Sequence, residues 1–165
     1  MEPLTPGDAA AVSAQLGRPS RGAIGVGQRC ACGLPCVVVT RPRLADGTPF
    51  PTTYYLTCRS LNAALSTLES QGFMRQAQEW LTSDPQVALG YARAHERYLA
   101  ARAELGEVPQ IEGVSAGGMP ERVKCLHALA AQSLACGPGV NPVGDAALAA
   151  VGTWWSGGPC AEVGG

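Results

Sequence analysis

The spacing of apolar and polar residues changes character at Cys58. Before it, short β-branched or aromatic runs are separated by turn residues; after it, leucines recur at helical intervals. "AIGVGQR" (23–29) and "CVVVT" (36–40) predict two strands joined through "CACGLP", where Gly33 and Pro35 supply the turn. "RPRLADGTPFPT" carries three prolines and an Asp-Gly pair and predicts an ordered loop. "TYYLT" (53–57) predicts a third strand. Ahead of the sheet, residues 6–17 predict a short helix with Thr5 as N-cap and Pro6 in its first turn.

Beyond Cys58, Leu61, Leu65 and Leu68 mark a helix ending at Gly72, and a second runs from Phe73 to Leu81. Ser83 or Asp84 caps a third, from Pro85 to about Leu105, which should bury Leu89, Tyr91, Ala92, Leu99 and Ala103. "GGMPERVK" should open a fourth that ends at Cys136, before Gly137-Pro138. Asn141 caps a fifth, with Pro142 in its first turn and Asp145 suited to the helix dipole. The predicted class is α+β: a small antiparallel three-stranded sheet followed by a four- to five-helix bundle. Residues 1–152 should form a single globular domain, and 153–165 a flexible C-terminal tail on which Trp154 and Trp155 pack back against the body.

Composition narrows the function more than the fold. A formal net charge of −1 lacks the basic excess of a nonspecific nucleic-acid binder. No apolar run reaches the ~18 residues of a spanning helix, so no membrane partner is expected. The acidic start "MEPLTPGDAAAV" does not resemble a signal peptide, which places the chain in the cytoplasm. There, seven cysteines stay reduced, and they imply burial, metal binding or thiol chemistry in place of a disulfide framework.

Cys30, Cys32 and Cys36 crowd the hairpin turn in the manner of half a zinc knuckle, although the spacing is CxC and CxxxC, not CxxC. Cys58 closes the third strand and can lie beside that turn. Cys125 and His127 pose a geometric problem. In a helix over 120–136 they point about 200° apart and cannot share an ion unless the helix begins late. Cys30, Cys58 and Cys125 would make one soft thiolate site, with Cys32, a histidine or an exogenous group in fourth place. Buried structural cysteines are the alternative.

The sole lysine, Lys124, lies near Arg122 behind Gly117-Gly118, where free helix amides would attract an anion; an ordinary capped helix with two solvated cations is the alternative. The GxxxxGK[ST] phosphate-loop spacing is absent. His95 shares a helix flank with Tyr91, Tyr98, Leu99 and Arg102. It suits a polar contact to a ligand or a general base, although such a group is more often a satisfied, half-buried residue.

"RCACGLP", "PRLADGTPFPTTYYLTC", "YARAHERYLAAR" and "SAGGMPERVKCLHALAAQSLACGPGVNPVGDAAL" resemble the bacterial domain-of-unknown-function family numbered 501, over roughly residues 5–150. The resemblance implies a mainly actinobacterial protein. It also implies gene neighbours resembling a septum-formation initiator and an exopolyphosphatase, which associates it with phosphate or cell-envelope biology without a mechanism. Its strings contain Cys30, Cys58, His95, Arg122, Lys124, Cys125 and His127. These features predict a cytoplasmic protein that binds zinc or an iron–sulfur cluster through Cys30, Cys58 and Cys125. One alternative is an enzyme or sensor that binds a small anionic ligand, for instance a phosphorylated one, through His95, Arg122, Lys124 and His127. The other is an interaction module of a division-related assembly.

Overall fold

A computed structural model describes residues 1–161. The sheet is a four-stranded antiparallel meander in the order β1 (Glu2–Pro3), β2 (Ala23–Arg29), β3 (Pro35–Thr40), β4 (Tyr54–Leu56). The six helices are α1 (Pro6–Leu16), α2 (Arg59–Ser70), α3 (Phe73–Ser83), α4 (Pro85–Leu105), α5 (Leu126–Cys136) and α6 (Pro142–Val151). The architecture is α+β as expected, with one strand more than the three predicted. That strand, β1, has two residues and no periodicity to read; its pairing with β2 holds it. Among the described residues, α1 precedes the long strands as expected and five helices follow the sheet, six in all where the bundle alone was expected to have four to five.

α1 begins as its sequence dictates. The Thr5 hydroxyl accepts from the Asp8 amide, and the Asp8 carboxylate accepts from the Thr5 amide, a reciprocal capping box. Strand β3 is buried along its whole length. Val37 and Val39 face the helical core, while Val38 and Thr40 turn to the other face with Leu16 of α1. α5 packs across β2, β3 and β4 and against α2 and α6, which makes it the central helix.

α4 departs from its predicted face. Asp84 caps it, but it buries Tyr91, Ala94, His95, Tyr98 and Arg102, and leaves Leu89 exposed. The tyrosines win because each pairs its hydroxyl while burying its ring: Tyr91 donates to the Arg122 carbonyl (2.7 Å), and Tyr98 accepts from the Thr53 amide (2.7 Å). Arg102 donates to the carbonyls of Pro51, Val114 and Ile111 and so ties the 106–115 loop to the sheet side.

The GPGVNPVGD string is a packing device. Asn141, fully buried, accepts from the Gly144 amide and donates to Gln132, which in turn donates to the Ala94 carbonyl. That chain of bonds joins α4, α5 and α6. Gly144 lies so close to the Leu129 carbonyl that a Cβ there would collide with it. Among the described residues, no helix is long and apolar enough to cross a membrane.

Candidate metal centre

Five of the seven cysteines gather where the β2–β3 turn, the end of β4 and the C-terminal segment meet. The turn is closed by Cys30 N–H to the Leu34 carbonyl (2.9 Å) and Gly33 N–H to the Cys30 carbonyl (2.8 Å). Arg29 braces the turn by donating to the Gly33 carbonyl (3.2 Å) and to the Asp8 carboxylate (2.8 Å).

The Sγ atoms of Cys30, Cys32 and Cys160 all lie within 4.8 Å of one another, and Cys32 and Cys160, 128 residues apart in sequence, approach to 3.1 Å. Gln15 of α1 reaches in, its Nε2 at 2.8 Å from the Pro35 carbonyl and 3.8 Å from the Cys160 Sγ. Cys58, the N-cap residue of α2, meets Cys160 on one side and Cys36 on the other. Cys36 and Cys58 are fully buried.

The thiols divide by environment. Hydrogen bonding from the Cys36 thiol holds Cys58 down to about 6 against the effect of burial, helped by the α2 amides of Leu61 and Ser60. Cys36 is driven the other way, by its role as donor to Cys58 and then by burial. Burial raises Cys30, and burial with Cys32 and Cys58 as neighbours raises Cys160. Cys32 is pushed up by burial, but the Cys160 amide and thiol bring it below its ordinary value. Crowded thiols of this kind cannot all ionise unless a cation joins them.

Cys125 stands apart from this cluster. It sits beside Glu69, in the last turn of α2, whereas Cys58 precedes the first turn; about 16 Å of helix separates the two ends. The three sulfurs of Cys30, Cys58 and Cys125 therefore do not converge. Cys30 lies instead with Cys32 and Cys160, with Cys58 close by.

The helix predicted from GGMPERVK begins only at Leu126. Gln78 of α3 is the reason: its Nε2 donates to the Glu121 carbonyl (3.0 Å) and its Oε1 accepts from the Val123 amide (3.0 Å), drawing that backbone out of the helical ladder. Tyr91 takes the Arg122 carbonyl and Gly117 accepts from the Lys124 amide. Cys125 is thus extended (φ −153°, ψ 109°), and its Sγ comes within 3.8 Å of the His127 Nδ1. The Glu69 Oε1 lies 3.2 Å from the same nitrogen and accepts from the Leu126 amide at 2.9 Å. Contact with Cys125, opposed by burial and reinforced by Glu69 and the Asn62 carbonyl, raises His127 to about 9. Cys125 itself is lowered: burial opposes ionisation, and His127 with the Ala128 amide outweighs it.

The other predicted ligand residues take separate places. Gly117 and Gly118 form a turn with positive φ (65° and 95°) in which a Cβ would come within 2.6 Å of Leu129 and of the Arg122 carbonyl, so their role is close packing. Arg122 and Lys124 are exposed. The Leu126 amide, at the start of α5, is already taken by Glu69. His95 is buried, its Nδ1 paired with the Ser115 hydroxyl at 2.8 Å, and it ties α4 to the loop ahead of Gly117. Sequence reasoning missed Cys160 and Glu69. The odd cysteine count and Pro159-Cys160 at the end of a Gly-rich tail were the only signals for the first, and nothing local marked the second.

The family model described as "Protein of unknown function (DUF501)" matches residues 26–149. No curated protein and no solved structure matches the chain. The chain belongs to this family of unknown function, and Cys160 lies outside the matched segment.

Proposed function

We propose that this member of the family is a metal-binding protein whose ion is held by thiolates of Cys30, Cys32, Cys58 and Cys160. The observation that carries the reading is the meeting of Cys30, Cys32 and Cys160 within 4.8 Å. The donor set fits zinc. Four thiolates at about 2.3 Å from an ion place neighbouring sulfurs about 3.8 Å apart. Cys30, Cys32 and Cys160 bracket that spacing, from the 3.1 Å of Cys32 and Cys160 up to the 4.8 Å that bounds the three, and Cys58, which lies outside this group, would move in to complete the set. Cys32 and Cys58 are the two thiols of the group whose surroundings favour the ionised sulfur, and Cys36 serves as a thiol donor behind Cys58.

Such a site is closed. Its ligands are largely buried and come from the hairpin, the start of α2 and the C-terminal segment, so its contribution is to join these three parts. It requires a reducing compartment, because bare Cys32 and Cys160 are close enough to oxidise to a disulfide with little movement. An iron–sulfur cluster uses the same four-thiolate donor set and is the competing occupant. Metal analysis of anaerobically purified protein tests the reading: zinc or iron should be retained and should fall when Cys32 and Cys160 are both changed to Ser. An unchanged metal content would refute it.

A further inference from the structure

The group at the α2–α5 junction remains after the thiol cluster is accounted for. We propose that Glu69, Cys125 and His127 form a second, separate zinc site with three protein ligands and a fourth position open to solvent.

The donor atoms are the Glu69 Oε1, the Cys125 Sγ and the His127 Nδ1, all within 4.8 Å of one another. Carboxylate, thiolate and imidazole together are a donor set that zinc takes readily, whereas magnesium and calcium seek oxygen alone. The imidazole is oriented for coordination. Its Nε2 lies 3.1 Å from the Asn62 carbonyl, which can only accept, so Nε2 carries a hydrogen and Nδ1 is the nitrogen turned to the site. The Ser66 hydroxyl, also 3.1 Å from Nε2, accepts from the same edge of the ring. The carboxylate is fixed in turn by the Leu126 amide. The imidazole and the carboxylate are therefore each held by a partner outside the site, as metal-binding side chains characteristically are.

The extended backbone at Cys125 is what makes the site. A helix running through from Pro120 would turn Cys125 and His127 to opposite sides; Gln78 prevents that by holding residues 121–123. Binding would release the Nδ1 proton and any thiol proton, with the metal replacing both. The side chains of His127 and Glu69 are 21% and 23% exposed, so the site opens to solvent. Three ligands and an open face distinguish a zinc that carries an exchangeable water or anion from one that only braces the fold.

Zinc loading of the full chain tests this, read in wild-type protein by alkylation of individual cysteines with iodoacetamide and mass spectrometry. Zinc should slow labelling of Cys125 by roughly tenfold or more, and Glu69→Gln should abolish most of that protection while Cys32 and Cys160 stay protected. Cobalt titration should show a second equivalent that His127→Ala removes, with the helical circular dichroism unchanged. Equal Cys125 labelling with and without zinc in the wild type would overturn the proposal whatever the variants do. So would a second equivalent that persists in both Glu69→Gln and His127→Ala.

Discussion

Cys36 and Cys58 are adjacent and equally buried, yet they have opposite tasks. Cys36 donates its hydrogen to Cys58, which sits where the first amides of α2 favour a negative sulfur. Cys36→Ala should therefore leave about one equivalent of metal in the thiol cluster, whereas Cys58→Ala should release it; elemental analysis of the two variants checks the division of roles. Asp8 carries a second prediction. Its hydrogen bonds from Arg29, opposed by burial and reinforced by Thr5, hold the carboxyl well below the usual carboxylate range. A depressed native pKa contributes stability that is complete above the unfolded value, near 4, and is lost as pH falls through the lower native value. The stability difference between wild type and Asp8→Asn should thus be largest at neutral pH and shrink steadily below about pH 4, in urea denaturation at several pH values. A difference that grows on acidification would contradict the assignment.

At the level of elements, local chemistry marked most boundaries. Thr5-Pro6, Asp84-Pro85 and Asn141-Pro142 each cap a helix where their residue types predict it. Strands β2 and β3 stand where β-branched runs met turn residues. The failures came from distant groups. Pro120 imitates a helix start, but Gln78, 45 residues from Val123, redirects the backbone, and no local reading of 117–127 contains that contact. The face of α4 differs from the predicted one beyond Tyr91, because Tyr98, His95 and Arg102 find polar partners in remote segments that leucine spacing does not register. Asn141 shows the cost of losing such a contact. Asn141→Ala removes the α6 cap and leaves Gln132 without its donor in a fully buried place, which should lower stability by about 2 kcal/mol. Urea denaturation checks the magnitude, and Asn141→Asp should recover only the capping part.

For the whole molecule, the C-terminal segment decides how the fold closes. Residues 153–161 bring Cys160 back to the hairpin turn, and Cys160 and Ala161 are buried there. The crowding of thiols on the hairpin was legible in the CxC of Cys30 and Cys32, and the nearness of Cys58 in its place at a strand end. Cys160 was not, because joining sulfurs 128 residues apart is a property of tertiary closure. If metal is the clasp, a chelator should lower the melting temperature of the wild type and barely alter that of Cys160→Ser, which has already lost it. The most direct test is the zinc and iron content of anaerobically purified wild type beside the Cys32→Ser/Cys160→Ser double variant. A clasp of thiolates predicts that the double variant holds about one equivalent less than the wild type. Equal content in the two proteins, or less than about a tenth of an equivalent of zinc and iron together in the wild type, would contradict it.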